Sequence, residues 1–299
     1  MSSLIPEFSL AESRPIVSRL IGRPTLGRRL WLAWRRQPLA LRVSLVPLSL
    51  LLFVVAFANV LAPHDPIRIN MAAALRPPGP QSLMGTDNLG RDVWSRVLFG
   101  ARVSALVGVA AILPATLLGI AVGVTAGYFG GWADEILMRV TDIFLAFPLL
   151  VLAMGISVAL GRGLTNAVAA MIITIWPTYA RLVRSQALSI RSRDYIEAAR
   201  GIGMNDGWII LRHVVPNCID STLAQASMDV GTVIIIIASL SFLGLGAQPP
   251  VPEWGLMILE GRLYLREAWW MSTFPGAAIF ITAWTFTLLG DGLRDRLDR

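Results

Sequence analysis

The chain has 299 residues, of which 55% are hydrophobic and 15% are charged. A soluble domain carries about 25% charged residues, so this composition excludes an ordinary soluble protein and favours a polytopic membrane protein. The net charge of +7 comes from 26 arginines and no lysine, which excludes a Walker A nucleotide site because that motif requires a lysine. The single cysteine, Cys218, excludes an intrachain disulfide and a cysteine-based metal cluster, so no metal site is expected.

Residues 1–42 are predicted to form a basic tail. The segment holds eight of the 26 arginines, and it is too long and too basic for a simple signal peptide. We therefore expect it to be retained on the cytoplasmic side. Trp31 and Trp34, near its end, suit a membrane interface.

Six apolar stretches follow the tail, each near the roughly 20 residues that a spanning helix needs. They are residues 43–62, 103–127, 142–160, 165–181, 226–246 and 272–290. The predicted fold class is an all-α polytopic membrane protein, with six transmembrane helices in a domain over 43–299. Gly119, Gly123 and Gly127 in the second span have a four-residue spacing that predicts the close approach of another helix.

The distribution of arginine predicts how the spans are oriented. With the N-terminus inside, 18 arginines lie in cytoplasmic segments and 8 lie outside, and cytoplasmic segments carry the excess of basic residues. Both termini and the loop 182–225 are then cytoplasmic. The segment 63–101 is extracytoplasmic.

Four charged residues in the extracytoplasmic segment, Asp87, Arg91, Asp92 and Arg96, stand at two four-residue spacings. Residues four apart are neighbours on a helix, so we expect Asp87–Arg91 and Asp92–Arg96 pairs to stabilise a short surface helix. The alternative is that these residues dock an external partner protein.

The loop 182–225 contains the polar insert YIEAARGIGMNDGWIILRHVVPN, residues 195–217. Residues 192–200 suit a short helix, and two glycines, Gly201 and Gly203, weaken it. Asn205 or Asp206 can then cap a second helix, which we expect to stop at Pro216.

The second helix of the insert carries Trp208, Ile209 and Ile210, followed by Arg212. These apolar side chains are too large to be left in water, and the loop itself offers nothing to bury them. Two alternatives remain open: the helix lies on the membrane surface, or it docks on a partner.

Asp229 and Ser241, in the fifth span, are candidates for lining a translocation path. An ionisable residue within a membrane is costly and indicates function. Asp229 lies near the cytoplasmic end of the span with no evident local partner, so a hydrated interfacial carboxylate is the alternative. The scarcity of ionisable residues in the middle of the spans disfavours a secondary transporter driven by an ion gradient.

Three separated motifs resemble the permease subunits of bacterial ABC importers. Glu197-Ala198-Ala199, Gly203 and Val214-Val215-Pro216 follow the pattern of the EAA loop of that family. The stretches GTDNLGRDVWSRVLFGARVS (85–104) and SLSFLGLGAQPPVPEWG (239–255) resemble C-type permeases of the dipeptide/oligopeptide/nickel subfamily. The likeness covers about residues 40–299.

The resemblance implies the type I ABC importer permease fold in the bacterial inner membrane, without catalysis or a cofactor in this chain. It implies a heterodimer with a homologous B-type permease, two cytoplasmic ABC ATPase subunits that hold Mg-ATP, and an extracytoplasmic solute-binding protein. Membrane lipid is the remaining partner, and no nucleic acid is expected. The implied substrates are di- and oligopeptides, with nickel chelates, glutathione-like compounds or other small solutes as alternatives.

The resemblance also assigns coupling to the ATPase to one set of residues. They are Glu197, Ala198, Ala199, Gly203, Asp206, Trp208, Ile209, Ile210, Arg212 and Pro216. The second helix would be the coupling helix, anchored in an ATPase groove by Trp208, Ile209 and Ile210, while Glu197 would fix the first helix against backbone or arginine groups. The sequence departs from the family at Gly201, where alanine is usual, and at Ile237, where an acidic residue is common.

Overall fold

The computed structural model describes residues 38–297, and the regular structure in that range is helical. Trp31, Trp34 and most of the predicted basic tail lie outside the described residues. The helices are α1 Leu39–Leu61, α2 Val93–Phe129, α3 Gly131–Leu145, α4 Leu149–Leu160, α5 Leu164–Arg191, α6 Asp194–Gly201, α7 Asp206–Phe242, α8 Trp254–Gly261 and α9 Trp270–Leu297. Short 3₁₀ turns lie at Met71–Ala73 and Arg262–Tyr264.

Within the described range, five helices, α1, α2, α5, α7 and α9, are long and apolar enough to cross a membrane. The predicted third span, residues 142–160, falls on a bent pair of helices, because α3 and α4 meet there at an angle of 91°. Pro148 stands at the N-cap of α4, and proline disfavours a helical conformation in the residue before it. Counting the bent pair as one span gives the predicted six.

Helices α2 and α5 approach closely along the three glycines of α2. A Cβ added to Gly127 would lie 2.7 Å from the Cβ of Ala187, and one on Gly119 would overlap Tyr179. The predicted close approach is confirmed. Helix α7 completes the main apolar core, which α2 and α5 line from the other sides.

Helix α7 is longer than the fifth span that the hydropathy indicates. The expected stop at Pro216 is wrong: the helix begins at Asp206, widens into a π-helical turn over Ile210–Val214 and continues to Phe242. Pro216 lies in the first turn after the π-helical segment, where a missing backbone N–H is tolerated. The predicted cytoplasmic loop is therefore mostly helix.

Candidate functional site

The two ends of the helix bundle carry different structures. Residues 194–209 lie beyond the last residues of α2 and α5, and we call this the α6 end. Helix α8 and residues 62–92 lie at the first turns of α2, and we call this the α8 end. Helix α2 joins the two ends directly, since its 37 residues span about 55 Å at ~1.5 Å per residue.

Helix α6 ends in a Schellman motif built on Gly203. The Gly203 N–H donates to the Arg200 carbonyl at 2.9 Å, and the Met204 N–H donates to the Ala199 carbonyl at 3.1 Å. Gly203 has a φ of +82°, a left-handed conformation that glycine adopts without strain. Among the described residues, no atom beyond the chain neighbours lies within 4 Å of a Cβ at this position, so the backbone conformation, not space, is what selects glycine.

The first turn of α7 is capped and then tied to α2. Asn205 accepts a hydrogen bond from the Gly207 N–H at 2.8 Å, which confirms one of the two predicted caps. Asp206 instead accepts a hydrogen bond from the Tyr128 hydroxyl, at the end of α2. Arg200 of α6 stacks over the Tyr128 ring, 4.8 Å from its centroid. Tyr128 thus fastens both parts of the insert to α2.

The insert also buries apolar side chains against its own chain. Ile196, Ala199 and Ile209 belong to one buried cluster with residues such as Val183 and Ala187 of α5. The prediction that Ile209 is a free anchor is wrong, because its side chain is 0% exposed. The ends of α2 and α5 supply the apolar surface that the loop alone lacks, and Ile210 packs partly against the same cluster.

Three other large apolar side chains of the insert are more than half exposed. Ile202 is 80% exposed, Trp208 57% and Leu211 70%, and we call them the exposed trio. Trp208 and Leu211 are three residues apart and share one side of α7. Of the three, only Trp208 was among the predicted coupling residues.

The remaining predicted coupling residues lie mostly at the surface. Glu197, Ala198, Arg212 and Pro216 are exposed. Within residues 38–297 the Glu197 carboxylate makes no ion pair or hydrogen bond, so the predicted contact with backbone or arginine groups is wrong. The arginine of the same helix, Arg200, is turned towards Tyr128 and Asp206 instead.

The four charged residues predicted on an extracytoplasmic surface helix are buried. Asp87 is 3% exposed, Arg91 2%, Asp92 5% and Arg96 1%. The alternative prediction, that these four side chains dock an external partner protein, is therefore wrong. Asp87 and Arg91 also precede the first residue of α2, so the predicted surface helix is absent from the described segment.

These charges form an internal network that closes on Glu260 of α8. Arg91 contacts Asp87 at 2.6 Å and Glu260 at 2.8 Å, and Arg96 contacts the same Glu260 oxygen at 2.9 Å. The predicted Asp87–Arg91 pair is confirmed. The predicted Asp92–Arg96 pair is wrong, because the Asp92 carboxylate caps α2 through the Ser95 N–H at 2.9 Å.

The 239–255 motif fixes α8 against the first turns of α2. The Trp254 indole N–H donates to the Val97 carbonyl at 3.0 Å. Glu253 caps α8 by accepting from the Gly255 and Leu256 N–H groups at 2.9 and 2.8 Å. Burial raises the pKa of the Glu253 carboxyl, and these two backbone bonds oppose that rise.

Ser241 and Asp229 have different surroundings in α7. Ser241 is 0% exposed, and its Oγ accepts a hydrogen bond from the Ala247 N–H at 3.0 Å. The prediction that Ser241 lines a path is wrong, since its side chain holds the turn after α7.

Asp229 is partly exposed and has partners, against the expectation that it has none. The Tyr179 hydroxyl donates to its Oδ2 at 2.8 Å and the Gln225 amide to its Oδ1 at 3.1 Å. Tyr179 belongs to α5, so the carboxylate links α5 to α7. In the described part of the chain no three histidine, cysteine or acidic side chains are grouped to hold a metal ion.

Comparisons with known proteins agree over most of the chain. A family model described as "Binding-protein-dependent transport system inner membrane component" matches residues 119–299. The chain is 44% identical over 255 residues to a probable D,D-dipeptide transport system permease protein of Escherichia coli (strain K12), covering 85% of this chain and 86% of that protein. It is 44% identical over 277 residues to a glutathione transport system permease protein of Pectobacterium atrosepticum, covering 92% and 91%.

Two solved structures share the fold. A crystal structure of an amino acid ABC transporter with histidines matches with a TM-score of 0.51 at 18% identity, over 67% of this chain and 94% of that one. An inward-facing structure of the MetNI methionine ABC transporter matches with a TM-score of 0.50 at 22% identity, over 69% and 94%. At these identities the likeness concerns the fold alone.

Proposed function

We propose that this chain takes part in the import of short peptides. The chain belongs to the binding-protein-dependent transport system inner membrane components. It is thus a permease component of an ABC importer, with the predicted type I fold. The observation that carries the substrate class is the 44% identity to permeases named for D,D-dipeptides and for glutathione, over at least 85% of the chain. Both named solutes are small peptides. The names of these two relatives favour peptides over nickel chelates as the transported substrate.

The proposed assembly contains this chain, a homologous B-type permease as the other half of a heterodimer, and two cytoplasmic ATPase subunits. The ATPases would bind Mg-ATP and hydrolyse it, while this chain supplies part of the path and no catalytic group. An extracytoplasmic binding protein would deliver the peptide. Support comes from the family, whose members are inner membrane components that work with binding proteins.

The exposed trio is the proposed contact with the ATPase. Ile202, Trp208 and Leu211 present apolar surface at the α6 end, and burying one large apolar side chain contributes about 1.5–3 kcal/mol. Tyr128 then carries displacement of the insert into α2, because its hydroxyl and its ring contact the two halves of the insert. Ile209 has the different role of holding the insert on the bundle.

The proposed site for the binding protein is at the α8 end. An open cavity of about 780 Å³ lies there, and its lining includes His64, Arg68 and Arg76. These side chains are exposed, unlike the buried network of Arg91 and Arg96. They therefore replace the predicted docking residues.

The orientation that places the α8 end outside follows from the 18-to-8 arginine split. Leu83 is 65% exposed in the 62–92 segment, so in a Cys218→Ser background a Leu83→Cys variant should react with a membrane-impermeant maleimide in intact cells. Ser189→Cys, exposed near the end of α5, is the matched control. It should react only after the membrane is opened, and the reverse pattern would refute the orientation.

The function is tested by ATP-driven uptake of dialanine and glutathione in vesicles that hold the four-subunit complex and its binding protein.

We expect Gly203→Val to assemble yet take up several-fold less peptide per ATP, because a left-handed conformation costs a side-chain-bearing residue about 1–2 kcal/mol. Gly203→Asn is the matched control, since asparagine tolerates this conformation, and it should couple nearly as well as the parent.

One outcome would overturn the proposed substrate class, and another would overturn the proposed role of the turn after α6. A parent complex that takes up neither peptide but does take up a nickel chelate would overturn the substrate class. A Gly203→Val complex that couples like the parent would show that the geometry of the turn after α6 is not needed for transmission.

A further inference from the structure

Five polar side chains of α7 lie on one face of the helix. Their spacings of four, four, three and seven residues place them on a single stripe, and none of them is fully buried. They are Ser221, Gln225, Asp229, Thr232 and Ser239.

Other faces of α7 are covered by neighbouring helices. The Ile234 side packs on α2, where a Cβ on Gly108 would lie 2.9 Å from the Ile234 side chain. The Gly231 side packs on α9, where a Cβ would lie 2.7 Å from the Ala283 carbonyl oxygen. Within residues 38–297 the polar stripe lies between α5 and α9, where Ser221 and Asp229 contact α5 side chains and Thr232 is exposed.

The depth of Asp229 places it within the membrane. It stands 13 residues before the end of α7 at Phe242, which is about 20 Å at ~1.5 Å per residue. Its partner Tyr179 stands 15 residues after the first residue of α5, about 22 Å by the same measure. The hydrocarbon layer is roughly 30 Å thick, so the carboxylate lies inside that layer, in the half towards the α6 end.

A carboxylate and four uncharged polar side chains do not suit a face turned to lipid, because ionisable groups in hydrocarbon are costly and face cavities or partners. The Asp229 carboxylate also keeps capacity to bind. Each of its oxygens accepts one hydrogen bond, from Tyr179 or from Gln225, and a carboxylate offers about four acceptor positions.

We propose that Asp229 binds the cationic groups of a peptide in transit, namely its α-ammonium or the charged end of a basic side chain. This inference rests on the proposed import of peptides. The α-amino group has a pKa of about 7.7–8.0 and is largely charged at neutral pH. A carboxylate in a path with low-dielectric walls concentrates cations, so Asp229 makes the path selective for charge after the binding protein has released the peptide.

The test compares alanyl-lysine with alanyl-glutamate, at concentrations that saturate the binding protein, in vesicles holding the assembled complex. Asp229→Asn should lower the maximal uptake rate of alanyl-lysine by about 10-fold and that of alanyl-glutamate by about 3-fold or less, because only the first carries a second cation. Equal losses for the two peptides would indicate a purely structural role and would overturn the proposal, as would unchanged rates.

Two further variants complete the design. Asp220→Asn makes the same chemical change on an exposed residue of α7 outside the stripe, and it should leave both rates unchanged. Thr232→Lys puts a cation on an exposed position of the same stripe, three residues from Asp229, and it should slow alanyl-lysine more than alanyl-glutamate. If Asp229→Asn fails to assemble, Thr232→Lys decides, and equal effects on the two peptides overturn the proposal.

The failures of the two proposals are distinguishable. A parent complex that transports neither peptide overturns the proposed function and this inference with it. A parent complex that transports both, with Asp229→Asn unchanged in its preference, overturns the role of Asp229 alone.

Discussion

Ile209→Asp should prevent the chain from accumulating in a folded form. Ile209 is 0% exposed and packs in the cluster that includes Ile196 and Val183. Losing its burial costs about 1.5–3 kcal/mol, and the unpaired carboxylate adds several kcal/mol more unless it takes up a proton. Together these exceed the ~4–5 kcal/mol that marks an exceptionally damaging substitution. Membrane-fraction abundance and thermal unfolding in detergent measure the effect.

Leu211→Asp is the matched variant, two residues along the same helix. Leu211 is 70% exposed, and surface substitutions usually change stability by no more than about 0.5 kcal/mol. The chain should therefore fold, but retention of the ATPase in a pull-down should fall at least roughly 30-fold if Leu211 is a binding hot spot worth about 2 kcal/mol. Normal retention and uptake with Leu211→Asp would leave the alternative that the insert lies on the membrane surface.

The contrast between these two residues shows what the sequence could not supply. Trp208, Ile209, Ile210 and Leu211 are four consecutive apolar residues, so no periodicity distinguishes the buried from the exposed among them. The distinction comes from the ends of α2 and α5, which receive Ile209 and leave Leu211 uncovered. The EAA motif indicates a candidate site, and tertiary packing determines which of its side chains stay exposed.

The fold itself was largely predictable. Long apolar stretches predict spanning helices without knowledge of their neighbours, and the glycine spacing in α2 predicted the contact with α5 because only glycine allows so close an approach. Hydropathy places the third span but does not register the 91° angle at Pro148 within it. The continuity of α7 was missed because no local pattern shows that a π-helical turn before Pro216 lets the helix continue through the proline.

The charged network shows the limit of local spacing. Residues four apart predicted the pairing of Asp87 with Arg91, and that pair exists. Glu260 lies 164 residues from Arg96 in the sequence, and no local pattern connects them. Because the spacing argument assumed a helix in water, it also missed the burial of all four residues.

Glu260→Gln should lower the free energy of unfolding by about 3 kcal/mol, near the low end of the cost of removing one partner from a buried ion pair. The Glu260 side chain is 16% exposed, while those of Arg91 and Arg96 are 2% and 1% exposed. Without the Glu260 carboxylate, the two buried guanidinium groups share Asp87 alone. The measurement is denaturant unfolding of the purified chain in detergent. Asp142→Asn, which removes half of an exposed ion pair with Arg181, is the control and should cost about 0–1 kcal/mol.

The double variant Glu260→Gln, Arg96→Gln distinguishes the contribution of paired charges to stability from that of side-chain packing. It leaves the Asp87–Arg91 pair, which meets at 2.6 Å, as a balanced unit. Each single variant leaves one unbalanced charge in the network, so the double variant should be more stable than the sum of the single effects by at least about 1 kcal/mol. Additive losses would mean that the network contributes through packing rather than through paired charges. A positive coupling would mean that the charges at the α8 end hold α8 to the first turns of α2, so that neither can move without the other.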